Sequence, residues 1–347
     1  MSAKKHRVDE AAAGSSVPWI EKYRPKVLEE VEAQEEAINA LKACLNSGAN
    51  MPHMLFYGPP GTGKTTAILA VARQLFGPDL VKQRVKELNA SDDRGIQVVR
   101  EKVKGFAHGA VSHFGSRSQS DGKIYPAPPF KLIILDEADA LLPDAQAALR
   151  RMMEDFSDVT RFCILCNYVS KIIDPITSRC AKFRFKPLTR SSLYHRILHV
   201  ADEEGIQLSE AALAKLDEAA QGDMRLAIMF LQSAARAIGK NLRDADFVEV
   251  SGAVPESVFT PYLTALERKD FDLMYTLTGE LVNQGFSAGQ VIRQLHRYLV
   301  GSACSLSSSE RGALALKICE TERRVAAGGD DLIQLADLGA AFCSVRP

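Results

Sequence analysis

The rhythm of apolar and polar positions along the chain changes once, near Pro187. From about Val17 to Lys186, short β-like apolar runs alternate with stretches where apolar residues return every three or four positions. That alternation predicts a parallel sheet with helices on its faces. Strands are expected at His53–Tyr57, Val85–Asn89, 131–135, 161–166 and 181–185. Four of these five are apolar runs, as strands buried on both faces should be. Residues 108–130 are rich in Gly, Ser and Pro, lack a helical period and read as a long surface loop. Beyond Pro187 the pattern is helical alone. One helix over 191–204 is stopped by Gly205. A second is capped by Ser209 and runs to Gln221, and a third is capped by Asp223 and ends at Gly239. A further helical stretch from about Pro255 contains Leu295, Tyr298 and Leu299 and breaks at the Gly/Ser-rich segment 301–309. The expected division is a small polar, disordered tail over 1–16, a sheet domain over 17–186, a helical lid over 187–252 and a helical region for packing or oligomerisation over 253–347.

Composition narrows the function without naming it. Of 347 residues, 46% are hydrophobic and 25% charged, ordinary for a soluble globular protein. Lys+Arg and Asp+Glu both number 43, so any nucleic-acid surface must be local. No apolar run approaches the length of a membrane span, and the first residues lack a signal-peptide core, so a cytosolic or nuclear location is expected. The cluster Lys4-Lys5-His6-Arg7 reads as a solvated tail or a weak nuclear address. Seven scattered cysteines suit reduced thiols. Cys163 and Cys166 form a C-x-x-C, but on a strand residues three apart face opposite ways, so both are expected in the core. His195 and His199 share a helix face without a third ligand and read as surface or packing histidines.

The strongest chemical signal is GPPGTGKT, Gly58-Pro59-Pro60-Gly61-Thr62-Gly63-Lys64-Thr65, which fits G-x-x-x-x-G-K-[ST] between an apolar strand and a helical run over 66–75 that Gly77-Pro78 ends. Glycines let the backbone turn its N–H groups onto phosphate oxygens, and the helix start adds its positive end. Lys64 is then the β,γ-phosphate cation and Thr65 a hydroxyl ligand to Mg²⁺. The second signal is LIILDEAD, an apolar strand ending in acids at the carboxyl edge of the sheet. Asp136 is placed to hold Mg²⁺, and Glu137 to polarise water as general base. With a residue in the general-base position, the pair of motifs implies ATP hydrolysis and not binding alone.

Further motifs select among phosphate-loop proteins. VPWIEKYRP (17–25), ELNASDDRGI (87–96), AQAALRRMME with Gln146, CNY (166–168), TSRC (177–180) and GDMR (222–225) accompany the first two in order. The chain resembles the small subunits of replication factor C, the AAA+ clamp-loader family, closely over about 17–250 and more faintly beyond. The runs LIILDEADAL and RFCILCNYVSKIIDPITSRCAKFRFKPL most resemble one branch of those subunits. The resemblance implies an AAA+ sheet module, a small helical lid and an all-helical collar, with ATP and Mg²⁺ as cofactors. It implies a ring-like hetero-pentamer with other replication factor C subunits, acting on a sliding clamp and primer–template DNA in the nucleus, in replication and repair. It places Val17, Tyr23 and Arg24 near adenine; the residues alone allow a core anchor equally well. It gives Asn167 to the γ-phosphate or attacking water, where a strand-end turn former is the alternative. Arg225, at a helix start that disfavours a cation, would face the γ-phosphate, and Arg179 would be a finger reaching a neighbouring subunit's site. Met224 departs from the leucine expected beside Arg225, and the 107–129 loop is longer than the family pattern.

Local charge bears on DNA. Residues 81–117 carry a net charge of +4 and residues 161–186 one of +5. Arg100 and Lys104, four apart, flank an apolar stripe of Ile96, Val99, Val103 and Phe106. By the resemblance, Arg94, Arg100, Lys104 and Lys171 are candidates for phosphate-backbone contact, which positions a duplex without reading sequence. The apolar tip Leu75–Phe76 either packs in the core or meets a clamp. Other readings are an ATP-binding scaffold that turns over little, another AAA+ DNA-processing machine, and, more distantly, a small-molecule phosphotransferase.

Overall fold

The computed structural model describes residues 17–31, 34–46, 51–90, 96–107, 122–302, 304 and 306–344. They form two compact units, Met1–Ile206 with Ala220–Gln232 and Gln207–Ala219 with Ser233–Pro347. In the first unit, α1 (Trp19–Lys22) and α2 (Glu35–Asn46) precede β1 (His53–Tyr57), α3 (Lys64–Arg84), β2 (Val85–Asn89), α4 (Ile96–Ala107) and β3 (Lys131–Asp136). Then follow α5 (Pro143–Asp155), β4 (Thr160–Cys166), α6 (Asp174–Thr177), β5 (Cys180–Arg184) and α7 (Arg190–Glu204). The five strands lie parallel in the order β2-β3-β4-β1-β5.

Burial follows that order. β1, β3 and β4 are interior strands, buried over most of their length, whereas the edge strands β2 and β5 each bury one residue, Leu88 and Phe183. The expectation of four doubly buried strands is therefore corrected to three, because an edge strand is covered less fully, and on β5 Lys182 and Arg184 stand exposed on one face. One face of the sheet packs on α2 and α3 through Leu41, Ile68, Val71 and Leu75. The other packs on α4 and α5 through Val103, Leu149, Met152 and Met153. Cys163 belongs to the first core and Cys166 to the second, as a period of two requires. Burial pushes the Cys166 thiol up to about 12, as befits an inert core cysteine.

The helix after the phosphate loop breaks where the sequence expects it to end. Gly77 has φ 68° and ψ 171°, and Pro78 starts a second helical run that continues to Arg84. A Cβ at Gly77 would stand 2.6 Å from the Tyr125 ring, so the close approach of the 122–130 segment needs glycine there. Leu75 and Phe76 are buried in the first core, Phe76 edge-on to Phe130 at 6.0 Å. A clamp-contacting tip at these two residues is thereby overturned; the apolar surface is spent internally.

His53 offers a test of the core. Its Nδ1 accepts the Phe162 N–H at 3.1 Å, and burial, reinforced by the Arg161 charge, lowers its pKa from 6.5 to about 4. The unfolded chain therefore binds this proton first as pH falls, and stability present above 6.5 is lost progressively toward 4. Allowing for partial exposure, the loss by pH ~5 is about 1–2 kcal/mol. Urea denaturation of wild type and His53→Gln should show that excess loss in wild type alone; parallel curves for both would dismiss His53 as its source.

In the second unit a two-residue parallel pair, β6 (Gln207–Leu208) and β7 (Asn241–Leu242), interrupts what the sequence presents as helices alone. Two residues are too few to show an alternating pattern. Around it lie α8 (Glu210–Ala220), whose Ala212 N–H donates to Ser209 Oγ, the later turns of α9 (Met224–Ala237), and α10 (Asp244–Ser251). The remaining helices are α11 (Glu256–Glu267), α12 (Phe271–Asn283), α13 (Ala288–Val300), α14 (Ser308–Ala326) and α15 (Asp331–Ser344). Leu295 and Leu299 of α13 join Tyr262, Met274, Leu335 and Leu338 in one core. None of the described helices is long and apolar enough to cross a membrane.

Candidate nucleotide site

Three interior strands end side by side and deliver the site. β4 lies between β1 and β3, so Asn167 at its end stands between the phosphate loop after β1 and the acids that close β3. In the loop, Gly61 (φ 68°) and Gly63 (φ 91°) take left-handed conformations that other residues resist. Gly58 approaches the β5 side so closely that a Cβ there would stand 2.1 Å from the Phe185 carbonyl oxygen. Thr62 Oγ1 donates to the Pro59 carbonyl at 2.9 Å and braces the turn.

Lys64 and Thr65 open α3 with their side chains buried. Lys64 Nζ donates to the Gly58 and Pro59 carbonyls, both at 2.7 Å, and to Asn167 Oδ1 at 2.9 Å. All three partners are neutral oxygens. Burial lowers the amine's pKa against the opposing charge of Asp136, with Arg225 adding to the fall. A cation so placed is matched by a polyphosphate. Thr65 Oγ1 donates to Asp136 Oδ2 at 2.8 Å. A hydroxyl and a carboxylate oxygen at this spacing suit Mg²⁺, a hard cation that takes one or two protein oxygens beside phosphate and water.

Glu137 follows in a left-handed conformation, φ 53° and ψ 38°, its N–H donating to Asp136 Oδ1 at 2.9 Å. For a non-glycine residue this costs about 1–2 kcal/mol, and it turns the carboxylate side chain out of the strand line to the pocket wall. Strain of this kind persists where the surroundings enforce it, here a β3 buried from Lys131 to Leu135.

The pocket also takes in Tyr23, Arg24, Pro60, Thr66 and Arg225. Asp223 caps α9, its Oδ1 accepting from the N–H of Arg225 at 2.8 Å and of Leu226 at 3.3 Å. That cap sets Arg225 at the pocket. Gly58, Pro59 and Val17 are not in the pocket lining; Val17 is exposed, and the first two reach the site through their carbonyls or their turn. Arg179 is also outside, beside α5. Lys104 is exposed on α4 and Lys171 is exposed with its ammonium 5.3 Å from the Tyr168 ring. Arg100 lies on α4, and Arg94 lies outside the described residues.

Several lining residues carried no signal in the sequence: Val31, Leu188, Arg196 and Ile228. Arg196 donates through NH2 to the Tyr23 carbonyl, and Tyr23 Oη and Lys22 Nζ each donate to Glu204 Oε1 at 2.7 Å. α7 thereby clamps the 19–24 segment against the pocket. The spacing of Arg196 and Glu204, two turns apart on one helix, is the only trace of this in the sequence.

Comparisons with known proteins agree with this geometry. Residues 54–188 match the family model described as ATPase family associated with various cellular activities, and residues 254–341 match the replication factor C C-terminal domain. Replication factor C subunit 4 of Arabidopsis thaliana is 49% identical over 327 residues, 94% of this chain and 95% of that protein. The human protein of that name is 48% identical across 95% of this chain and 91% of its own length. Replication factor C subunit 2 of Saccharomyces cerevisiae is 44% identical over 96% of both. The branch that the 131–141 and 161–188 runs resemble is thus the one numbered fourth in animals and second in budding yeast. Among solved structures, a Thermotoga maritima RuvB variant overlays 79% of this chain and 91% of its own with a TM-score of 0.50 at 16% identity, a likeness of fold alone.

Proposed function

We propose that this chain, which belongs to the replication factor C family of AAA+ ATPases, binds ATP with Mg²⁺ at the 58–65 loop and hydrolyses it as a subunit of the sliding-clamp loader. The observation that carries the reading is the Thr65–Asp136 hydrogen bond beside a buried lysine with only neutral partners. Thr65 and Asp136 hold the metal, which offsets charge on the β- and γ-phosphates when bound. The loop N–H groups and Lys64 cradle the phosphates. Glu137 polarises the attacking water, and Asn167 orients it. Arg225 reaches the γ-phosphate from the start of α9, and Tyr23 and Arg24 flank the base. Val17, at the exposed start of this segment, has the weaker case.

Arg179 serves a neighbouring subunit, since it stands outside its own chain's pocket. By its family, the partners are other replication factor C subunits in a hetero-pentamer, a sliding clamp and primer–template DNA, and the place of action is the nucleus. Lys104 and Lys171, with Arg94 and Arg100, contact DNA phosphates; the exposure of the two lysines favours this. The 253–347 helices form the collar of the ring, and 187–252 the lid. Intact Lys64, Asp136 and Glu137 weigh against a scaffold that turns over little.

Steady-state ATPase measurements test the proposal. The chain alone should turn over slowly, and adding the other loader subunits, clamp and primed DNA should raise the rate steeply. Equal rates in both settings would mean a self-contained ATPase and end the shared-site reading.

A further inference from the structure

Arg179 follows the short helix α6, and two different helices hold its guanidinium. NH1 donates to the Pro175 carbonyl, one turn back, at 2.7 Å. NH2 meets Glu154 Oε1, near the end of α5, at 2.7 Å. The same carboxylate oxygen accepts from Arg150 Nε at 3.2 Å, one turn earlier on α5. One carboxylate is thus shared by two guanidinium groups, and its pKa is held below the ordinary carboxylate range chiefly by the Arg150 hydrogen bond.

As a stabilising device this cluster is weak. The Arg179 and Glu154 side chains are 36% and 42% exposed, and ion pairs in such surroundings contribute little to folding. Its geometry has another use. A free arginine samples many rotamers, and much of that freedom is lost when it docks on an anion. A tie to its own helix alone leaves the side chain free to swing about that point. A second tie, to a separate helix, fixes direction as well as reach, and leaves the remaining donors of the guanidinium fork available. A lone carboxylate would also cancel the positive charge a finger must deliver. Arg150 leaves the three-residue cluster with a net charge of +1.

We propose that Glu154 is a positioning residue for Arg179, fixing the guanidinium in its direction of reach before it meets a neighbouring subunit's phosphate, with Arg150 preserving the net positive charge. The inference rests on the reading of Arg179 as a finger that acts in the neighbour's site.

The test uses the full chain reconstituted with the other loader subunits, clamp and primed DNA. Five forms are compared: wild type, Glu154→Ala, Glu154→Gln, Arg179→Ala, and the Glu154→Ala/Arg179→Ala pair. Glu154→Ala should lower kcat roughly three- to tenfold, the effect of re-ordering one rotamer-rich side chain. KM for ATP and the Tm of the chain should stay at wild-type values. Glu154→Gln should recover most of the rate, because its amide oxygen still accepts from Arg179. With Arg179 already replaced, Glu154→Ala should cost nothing more. Should Arg179→Ala lower kcat while Glu154→Ala does not, the positioning role is wrong and the finger stands. Should Arg179→Ala itself change nothing, the finger reading falls and takes this inference with it. An equal Glu154→Ala loss on both backgrounds would assign Glu154 a structural task and overturn the proposal.

Discussion

Glu137→Gln is expected to lower ATP turnover at this chain's site by about 10²–10⁴-fold, the usual range for losing a positioned general base, with nucleotide affinity close to wild type. Glutamine keeps the size and the N–H bond to Asp136, which comes from the main chain, so β3 and its strained end should persist. What disappears is basicity at a carboxylate already turned to the pocket by a left-handed backbone. Affinity depends on Lys64, Thr65 and the loop amides, none of which touches the Glu137 side chain in the hydrogen bonds observed. Single-turnover hydrolysis in the assembled loader, with nucleotide binding measured alongside, separates the two quantities. A fall of tenfold or less would remove Glu137 from the role of base.

Arg179→Ala should produce the second large loss, about 10³-fold at the neighbouring site it serves, and none in the nucleotide affinity of the isolated chain. The asymmetry follows from position, since Arg179 is absent from its own pocket and bonded to Pro175 and Glu154 instead. Arg179→Lys should restore little, because an ammonium cannot reproduce a planar fork held at two points. Equilibrium binding of a fluorescent ATP analogue to the chain alone, beside turnover in the assembly, checks both halves. Weakened binding in the isolated chain would place Arg179 in its own site and contradict a finger in trans.

How far residues could be read without coordinates depended on whether their partners were local. β1 falls on the residues expected because an apolar run bounded by turn residues is a local signal; β2 also falls as expected, although Val85 and Leu88 are its only apolar residues. The phosphate loop and the acids after β3 are equally legible, since each motif carries its chemistry within eight residues. Edge strands were harder. The run 181–185 looks like a buried strand until the sheet order shows one flank of β5 open. The expected helix at 66–75 ends at the right glycine, yet nothing nearby in sequence says that Pro78 resumes it. Asn167 and Arg225 drew their expected roles from family resemblance, because a strand-end amide and a helix-start arginine are common without function. Arg196 and Glu204 escaped notice because charged residues on a helix face ordinarily meet solvent, and only the packing of α7 against the 19–24 segment shows otherwise.

The cap on α9 has an effect on the phosphate loop beyond holding a helix end. Asp223 lies so close to Gly61 that a Cβ there would fall 1.7 Å from its Oδ1, and the Met224 N–H donates to the Gly61 carbonyl at 3.4 Å. The hydrogen that glycine carries in place of a side chain thus acts as a spacer, setting how near the start of α9 may stand. The reach required of Arg225 is fixed at that point, by the thickness of a residue on the far side of the sheet domain's sequence. Any bulk added to the loop at position 61 would lengthen the gap Arg225 must cross, and any slackening of the cap would let that gap fluctuate. Loop and cap therefore calibrate a single distance together, and neither can drift in composition without the other registering the change.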